Sequence, residues 1–408
     1  MIMMTSCQHK ILKNPLSGLI EKTLPTYNSF MKRTEKLSFL IGLAFIFSSA
    51  MTIWADTKYV SLDSEHVRKL GRTYEDTNGL VLAFSSSGIE FNVKAKHLDV
   101  TIAGDSGVTG KKDDGSARIV AFVNGERTLD TLITKKTETF TLFDSKKNVE
   151  GLVQILKVSE SANSLAAITN LCVDKKGKVS ASEPRELKIE FIGDSITCGY
   201  GVDDPVKEHH FKTSTEDSTK TYAFKTAQAL NADWSFVSVS GWGITSGYTS
   251  NGHKNSDSVI PKIYEKTGFS WGNTIFGINP VNVMWNFASY QPDFVVINLG
   301  TNDASYTKKH ADKVQEYVDD YVVFLKKVRQ KNPKAHIICC LGMMGVELYE
   351  ALSKAVSTYT LENGDKRISA LRLDPQLMSD TICADWHPSE TTHTKASKKL
   401  VDKIKTIR

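Results

Sequence analysis

The stretch IEFIGDSITCGYGV, residues 189–202, places a run of apolar residues directly before a glycine, an acid and a serine. Short apolar runs bounded by glycine are typical of buried strands, and the residues after Gly193 predict a turn into a helix. Gly193, Gly199 and Gly201 surround Ser195 and would let backbone amides point into a concavity. Ser195 is therefore either a turn or capping residue or a nucleophile, and residues elsewhere in the chain must distinguish the two.

Strands and helices alternate from Pro184 to the last residue of the sequence. The pattern predicts strands over 187–192, 234–239, 294–299 and 336–341, and helices over 221–230, 311–329 and 389–407. Apolar strands interleaved with helices indicate a parallel sheet covered on both faces, which is an α/β architecture. Active groups in such sheets lie at the carboxyl ends of the strands, so residues 193–195 and 300–303 are expected at the same edge.

Residues 59–173 have a different pattern, a series of short strand-like segments. Apolar and polar residues alternate in segments such as GIEFNVKA at 88–95, and clusters of Gly, Asp, Asn and Lys separate these segments. Short strands at this spacing predict an all-β sandwich or barrel. The polar segment 173–184 is the predicted linker, and we expect an all-β domain, a sandwich or a barrel, at 56–182 and an α/β domain at 183–408.

The first 55 residues have the pattern of a leader. A basic segment begins at Met31, an 11-residue apolar core spans 37–47, and small residues suited to cleavage follow at 48–55. This pattern predicts a secretory signal peptide within 1–55, with translation starting at Met31, and hence a secreted or periplasmic protein. The apolar core is too short to span a bilayer comfortably, so no membrane attachment is expected after cleavage.

Charge and cysteine content narrow the classes of partner and cofactor. Residues 1–55 carry six Lys/Arg against two Glu, a net +4 of the +5 of the whole chain, so the remainder is near neutral and predicts no nucleic acid or anionic membrane as a partner. Five later cysteines lack CxxC or Cys/His ligand spacing, which leaves one disulfide or buried free thiols. Motifs for metals, nucleotides and phosphates are absent from the sequence, so neither a metal nor a cofactor is predicted.

His387 is the candidate base for Ser195. A serine hydroxyl becomes a good nucleophile only when a base takes its proton. His387 lies in the segment ADWHPS, residues 384–389, just before a helix whose start Pro388 and Ser389 indicate. A lone histidine is more often structural, and a Gly-Asp-Ser triplet is more often a turn, so the hypothesis depends on the pair.

Two further residues could stabilise an oxyanion. Asn302 follows a predicted strand and would place a side-chain amide at the same edge as Ser195. Gly241 follows the strand before it and could offer a backbone amide unhindered by a side chain. The alternatives are an Asx-turn for Asn302 and a turn glycine for Gly241.

These residues fall in four ordered sequence blocks that resemble those of SGNH (GDSL-type) hydrolases. The blocks are GDSIT at 193–197, a glycine at 241, GTND at 300–303 and DWHP at 385–388. The resemblance covers most of residues 187–408 and implies a three-layer flavodoxin-like fold. It also implies that Ser195 is the nucleophile and His387 the general base. The oxyanion hole that it implies consists of the amides of Ser195 and Gly241 and the side chain of Asn302.

A β-sandwich before an SGNH domain makes the chain after its leader similar to carbohydrate esterase family 2. The segments of closer likeness are GDSITCGYGV at 193–202, STEDSTKTYAF at 214–224, SGWGI at 240–244, WNFASYQPDFVVINLGTND at 285–303 and ADWHPS at 384–389. Members of that family combine a jelly-roll sandwich with an SGNH domain and remove acetyl groups from plant polysaccharides. The likeness implies a secreted serine esterase that acts on an acetylated polysaccharide or oligosaccharide, such as xylan or glucomannan, without a cofactor.

One position departs from the wider SGNH pattern. That pattern has an aspartate three residues before the histidine, where this chain has Ala384, and Asp385 lies only two residues before His387. The usual aspartate accepts a hydrogen bond from the imidazole and fixes its tautomer. Family 2 includes sites in which a backbone carbonyl takes this role, so we expect a Ser-His dyad with Asp385 as a candidate third member.

Four aromatic residues near the candidate site suit the binding of sugar rings: Tyr200, Trp242, Trp285 and Trp386. Core packing is the alternative for the tryptophans. Two other functions stay open: an SGNH esterase or lipase acting on lipid or aryl esters, which would need a long acyl groove, and a carbohydrate-binding protein with an idle esterase site. The presence of every catalytic block argues against the idle site.

Overall fold

A computed structural model describes residues 56–110 and 115–408, and the predicted leader with its start at Met31 lies outside them. Residues 57–408 form one compact unit, in which an antiparallel sheet is followed along the chain by a parallel sheet. The predicted fold class, a β-sandwich before a three-layer α/β domain, is confirmed. Within the described ranges no helix is long and apolar enough to cross a membrane, and the cysteines there are free thiols.

Ten strands of the described chain form the antiparallel sheet. Their bounds are β1 (Thr57–Val60), β2 (Arg68–Leu70), β3 (Thr73–Asp76), β4 (Gly79–Leu82), β5 (Ser87–Gly104), β6 (Arg118–Val123), β7 (Glu126–Leu132), β8 (Thr137–Lys157), β9 (Ala166–Asp174) and β10 (Lys178–Ala181). The order is β3-β4-β9-β5-β8-β6-β7, while β1 pairs with β9, and β2 and β10 pair with β5. Phe91 and Val93 of β5 are buried and Lys94 is exposed, so the alternation in the sequence marks the face that forms the core.

The predicted linker, residues 173–184, is wrong in part. Its start still belongs to β9, and β10 pairs with β5 so that Val179 lies opposite Val93. Lys178 and Ser180 are exposed while Val179 and Ala181 are half-buried, so β10 does alternate, but four residues are too few to distinguish a strand from a polar linker in the sequence. The antiparallel sheet ends at Ala181 and the parallel sheet begins at Leu187, so we propose that the two domains divide between these residues.

Five described strands form the parallel sheet: β11 (Leu187–Gly193), β12 (Ala232–Ser238), β13 (Phe294–Asn298), β14 (His336–Met343) and β15 (Ile368–Pro375). They lie in the order β12-β11-β13-β14-β15, which is the strand order of flavodoxin-like folds. The helices are α1 (Ser195–Cys198), α2 (Tyr222–Ala229), α3 (Thr301–Thr307), α4 (Ala311–Lys331), α5 (Tyr349–Asn363) and α6 (Glu390–Ile407). A small ladder of β16 (Ile382–Cys383) and β17 (His387–Pro388) precedes α6.

Helices cover both faces of the parallel sheet. Helices α4 and α5 pack together on one face, where Leu325 joins the core, and α2 and α6 pack together on the other, where Leu400 is buried. The inner strands are buried on both faces, which explains their continuous apolar runs. Strand β15 carries no such run, because it is half exposed and Arg372 and Asp374 interrupt its apolar residues. Neither β15 nor α5 is among the elements that the sequence predicts.

Arg72, from the turn between β2 and β3, is buried against the parallel sheet. Its guanidinium lies 2.9 Å from Glu190 Oε1 in β11 and donates hydrogen bonds to the carbonyl oxygens of Tyr264 and Lys266. Glu190 also accepts a hydrogen bond from the Tyr264 hydroxyl at 2.8 Å. Because neither charged side chain reaches solvent, each charge is compensated by the other and by these hydrogen bonds.

Replacing Arg72 with Met should lower the free energy of unfolding by ~3–5 kcal/mol, because Glu190 would stay buried without its partner. Urea denaturation followed by tryptophan fluorescence measures this change. The matched control is the double variant Arg72→Met with Glu190→Gln, which removes both charges and should recover part of the loss. A loss below ~1 kcal/mol in the single variant, the range of exposed ion pairs, would contradict the stabilising role of this pair.

Candidate active site

Loops at the carboxyl edge of the parallel sheet carry the candidate residues. Ser195 starts α1 directly after β11, Gly241 lies after β12, and Asn302 lies in the first turn of α3 after β13. His387 begins β17, at the entrance to α6. The edge of the sheet therefore brings together residues that lie far apart in the sequence.

The turn from β11 into α1 explains the glycines around Ser195. Asp194 caps the helix by accepting a hydrogen bond from a backbone amide of its first turn at 3.0 Å, and Gly199 ends the helix with a φ of +86°. A Cβ at Gly193 would lie 2.0 Å from Thr197 Oγ1, so only glycine fits at this position. The motif thus places Ser195 at the first position of a short helix, facing the edge of the sheet.

Ser195 and His387 are in hydrogen-bond contact. Ser195 Oγ lies 2.8 Å from His387 Nε2, and both residues are buried. His387 Nδ1 lies 3.1 Å from the backbone oxygens of Ala384 and Asp385, which can only accept hydrogen bonds. The hydrogen of a neutral imidazole is therefore on Nδ1, and Nε2 is left to accept the proton of the serine hydroxyl.

The carboxylate of Asp385 points away from the imidazole. It accepts hydrogen bonds from the Tyr200 hydroxyl at 2.6 Å, from His210 Nδ1 at 2.9 Å and from the Phe211 amide at 3.0 Å. Burial alone would raise the pKa of Asp385, but these hydrogen bonds lower it below its usual range. The structure therefore brings the backbone of Asp385 to His387, and it does not bring the side chain there.

An unusual backbone conformation turns the carbonyl groups towards the imidazole. Asp385 and Trp386 adopt left-handed conformations with φ of 48° and 64°, which residues other than glycine rarely do. Aspartate tolerates this region better than most residues, whereas a tryptophan there is an outlier that its surroundings must hold in place. No pattern in the segment ADWHP signals these dihedral angles, so the residues alone do not predict which group orients His387.

The imidazole of His387 is held in its neutral form. Burial lowers the pKa of His387 to about 4, although the two carbonyl oxygens and the charge of Asp385 act in the opposite direction. The ring of Tyr200 stacks on the imidazole, with the ring centroids 4.0 Å apart, and covers one of its faces. Near pH 7 the imidazole is therefore neutral and can take a proton.

The residues that carry the three candidate oxyanion donors line one cavity of about 520 Å³. Gly241 has a φ of +78°, and no described atom beyond its chain neighbours lies within 4 Å of where its Cβ would be, so this position borders open space. Asn302 Nδ2 donates to the Trp242 carbonyl oxygen at 2.8 Å and lies 3.3 Å from Asp194 Oδ2. An oxyanion bound by Asn302 would have to replace the longer of these two bonds.

Asp303 shapes the loop that follows Gly241, a role that no sequence pattern indicated. Its carboxylate accepts hydrogen bonds from the three backbone amides of residues 244–246 at 2.8 to 3.1 Å. Burial raises the pKa of Asp303 to about 6, although these amides act in the opposite direction. The feature of the sequence that could have suggested this role is the position of Asp303 in the block GTND, directly after Asn302. In this block the side chain of Asn302 lines the cavity and that of Asp303 anchors the neighbouring loop.

Two of the four predicted aromatic residues line the cavity. Tyr200 and Trp386 border it, and the side chain of Trp386 is largely exposed. Tyr248 lines the cavity as well and is also exposed, although it was not among the predicted residues. Its position seven residues after Gly241 could have suggested it, because the Gly241 carbonyl oxygen accepts a hydrogen bond from the Tyr248 amide at 2.7 Å.

The other two tryptophans are not brought into the cavity. Trp242 is 2% exposed, and its ring packs against Phe269 with the centroids 4.6 Å apart. Trp285 lies beside the buried Arg72, whose guanidinium is 5.4 Å from the centre of the indole ring. Trp242 therefore packs in the protein interior, and the half-buried Trp285 packs against Arg72, so neither residue makes the expected sugar contact in the cavity.

Among the described residues, one group could supply metal ligands. Glu160, Cys198 and Glu216 each present a ligand atom within 4.8 Å of the others. The buried Lys157 ammonium lies beside them and donates to the Glu160 carbonyl oxygen at 2.9 Å. This positive charge offsets one of the two carboxylate charges, and burial raises the pKa of both carboxyl groups. The group does not line the cavity that holds Ser195.

The chain is similar to known proteins along both domains. The sequence profile of the GDSL-like lipase/acylhydrolase family matches residues 191–395, and that of the carbohydrate esterase 2 N-terminal domain matches residues 70–182. The cellulase/esterase CelE of Acetivibrio thermocellus is 32% identical over 338 residues, which are 81% of this chain and 38% of CelE, so the chain spans well under half of that relative. An acetylxylan esterase/glucomannan deacetylase of Cellvibrio japonicus is 23% identical over 396 residues, 92% of this chain and 99% of the relative.

Solved structures resemble the described fold. A family two carbohydrate esterase from Clostridium thermocellum in complex with cellohexaose has a TM-score of 0.71 at 30% identity, and the match covers 84% of this chain and 98% of that one. The acetyl xylan esterase Est2A from Butyrivibrio proteoclasticus has a TM-score of 0.76 at 24% identity, covering 86% and 99%. At that identity the second likeness supports the fold alone.

The rate constant kcat/KM for a short aryl acetate should be independent of pH near neutrality and fall as the pH drops through about 4, the pKa of His387. The reason is that only the neutral imidazole can accept the proton of Ser195. A pH–rate profile measures this, with samples returned to neutral pH as the control for unfolding. A midpoint at or above 6.5, the ordinary histidine value, would contradict the effect of burial on His387.

Asp385→Asn should lower kcat by less than about tenfold, whereas His387→Ala should lower it by about 10²–10⁴-fold because it removes the base. The carbonyl oxygen that contacts Nδ1 belongs to the backbone and stays in the Asp385 variant. Asparagine is the matched replacement, since it also tolerates a positive φ. Steady-state kinetics on a short aryl acetate measures both variants, and equal, large losses would indicate that the carboxylate itself orients His387.

Proposed function

Because the chain belongs to the family 2 carbohydrate esterases, within the GDSL-like lipases and acylhydrolases, we propose that it removes O-acetyl groups from plant polysaccharides such as xylan or glucomannan. The observation that carries this proposal is the 2.8 Å contact between Ser195 Oγ and His387 Nε2 beside a cavity of about 520 Å³. The names of the relatives, a cellulase/esterase and an acetylxylan esterase/glucomannan deacetylase, support the substrate class.

In the first step Ser195 Oγ attacks the acetyl carbonyl carbon while His387 Nε2 takes the hydroxyl proton. The carbonyl oxygens of Ala384 and Asp385 accept hydrogen bonds from Nδ1–H, hold the plane of the ring and stabilise the imidazolium that forms. Burial of His387 excludes most water from these interactions, which strengthens them relative to an exposed site.

The negative charge of the tetrahedral intermediate develops on the former carbonyl oxygen. The amides of Ser195 and Gly241 and the side-chain amide of Asn302 are the proposed donors, and a donor of this kind commonly contributes about 3 kcal/mol. Asn302 keeps its 2.8 Å bond to the Trp242 carbonyl oxygen and exchanges its longer bond to Asp194 for the oxyanion. One bond thus fixes the amide plane while the other N–H serves the reaction.

The intermediate breaks down when the bond to the sugar oxygen cleaves and His387 returns the proton to that oxygen. An acetyl ester of Ser195 remains, and a water molecule activated by His387 attacks it in the same way. Acetate leaves and Ser195 regains its hydroxyl proton. The proposed reaction uses only water and groups of this chain.

Exposed aromatic rings at the cavity suit a sugar substrate. Trp386 and Tyr248 border the cavity, and flat aromatic faces pack well on sugar rings. Lys207 Nζ lies 5.1 Å from the centre of the Trp386 ring and stabilises its position. We further propose that the protein is secreted or periplasmic, because the leader predicted in residues 1–55 would bring it to such polymers.

A second candidate function is the hydrolysis of esters with longer acyl chains. A neighbouring cavity of about 640 Å³ shares Thr301 and Met344 with the catalytic cavity, and apolar groups such as Val314 line part of it. An acyl chain could extend from the first cavity into the second. The exposed, charged Lys309 and Glu350 also line the second cavity, which suits a polar chain better than a lipid.

The protein should release acetate from acetylated xylan or acetylated glucomannan, and Ser195→Ala should lower the rate by ~10³-fold or more because it removes the nucleophile. Ser256→Ala, at an exposed serine, is the matched control and should keep the full rate. Acetate release is measured beside hydrolysis of short-chain and long-chain aryl esters. Activity confined to the long-chain ester would move the substrate to lipids. Glycan binding without activity on any ester would favour a binding protein with an idle site.

A further inference from the structure

A loop of the antiparallel sheet reaches the catalytic edge of the parallel sheet. This β8–β9 loop, residues 158–165, is buried along almost its whole length. The Val158 carbonyl oxygen accepts a hydrogen bond from the Ser218 amide at 3.2 Å, and the Ala162 carbonyl oxygen accepts one from the Trp271 amide at 3.0 Å. Backbone bonds to the second domain therefore fix the position of this loop.

Glu160 lies near the middle of the β8–β9 loop and is 2% exposed. Its amide donates to Glu216 Oε2 at 2.8 Å, and its carbonyl oxygen accepts a hydrogen bond from Lys157 Nζ at 2.9 Å. Its Oε1 accepts a hydrogen bond from Asn163 Nδ2 at 3.2 Å. These bonds fix both the backbone of Glu160 and the direction of its carboxylate.

The second carboxylate oxygen of Glu160 contacts both segments that carry the backbone donors of the proposed oxyanion hole. Oε2 accepts a hydrogen bond at 2.7 Å from the amide of Ser240, the residue before Gly241. The same oxygen lies 3.7 Å from Sγ of Cys198, which is the last residue of the helix that begins at Ser195. One oxygen atom from the antiparallel domain thus joins the nucleophile helix to the loop of Gly241.

We propose that Glu160 is a positioning residue that holds the Gly241 amide and the Ser195 amide at the relative positions in which both can bind one oxyanion. This inference rests on the proposed esterase function. Gly241 has no side chain to pack in place, so the hydrogen bond at Ser240 anchors the chain one residue before the donor. A displacement of about 1 Å in a reacting or stabilising group can cost roughly 10²-fold in rate.

This role requires a side chain at position 160 that is long enough to contact the Ser240 amide and that can accept its hydrogen bond. Glu160 and Glu216 are buried beside one ammonium group, that of Lys157, and burial raises the pKa of both carboxyl groups. A neutral glutamine can place its oxygen at the Ser240 amide, and its NH2 group can donate to the side-chain oxygen of Asn163 once that amide turns over. Glutamine should therefore replace Glu160, and aspartate, which is one methylene shorter, should not. A bound metal ion would require the opposite, because it needs the negative charge.

The test compares three variants with the wild-type protein on a short aryl acetate. Glu160→Gln should retain kcat within about threefold, while Glu160→Asp and Glu160→Ala should lower kcat by about tenfold to hundredfold with KM changed less than about threefold. Arg68→Ala is the matched control and should keep kcat, since Arg68 pairs with Asp233 near the start of β12, away from the catalytic edge. Thermal unfolding shows whether each variant is folded.

If Glu160→Ala does not fold, the contrast between the glutamine and aspartate variants decides the question. A kcat for Glu160→Asp within about twofold of the wild type would overturn the inference, because the shorter aspartate side chain should no longer hold the Ser240 amide in place. An equal loss in both variants would also overturn it, in favour of a charge or a bound cation. A wild-type protein without esterase activity would overturn the proposed function itself, whereas an active wild type with unaffected variants overturns the positioning role alone.

Discussion

The parallel register of three strands is the constraint on which the candidate site depends. Gly193 at the end of β11 lies opposite Ser238 of β12 and Asn298 of β13, so three segments leave the sheet at one level. Only a few residues then bring a hydroxyl, a backbone amide and a side-chain amide around one cavity. Because the strand ladder and the apolar faces of the sheet fix this register, the packing of the core also sets the geometry of the site.

An imidazole oriented by carbonyl groups differs electrostatically from one oriented by a carboxylate. Carbonyl groups are dipoles without net charge, so they raise the pKa of a buried histidine less than an adjacent anion does, and burial keeps the pKa of His387 low. Besides the effect of its charge, the side chain of Asp385 accepts a hydrogen bond from Tyr200, whose ring stacks on the imidazole. Because the backbone at Asp385 and Trp386 is left-handed, the carbonyl group of Asp385 can face His387 while its carboxylate faces Tyr200.

Features encoded within a few consecutive residues could be predicted from the sequence, such as the apolar strands and the glycine-flanked turn at Ser195. Features that depend on distant contacts could not. Trp242 looks like a sugar-binding residue beside Gly241, yet its ring packs in the core. The bond between Glu160 and Ser240 joins residues 80 positions apart and crosses from one domain to the other. Neither the composition of the chain nor the spacing of its motifs indicates such pairings.

The most direct measurement of whether Ser195 is a nucleophile activated by a neutral His387 is mass spectrometry after reaction with an alkyl fluorophosphonate, which forms a stable adduct with activated serines. We expect one adduct per chain, located by peptide mapping on Ser195, absent from the Ser195→Ala protein and formed far more slowly by the His387→Ala protein. No adduct in the folded wild-type protein, or an adduct on another residue, would contradict this mechanism.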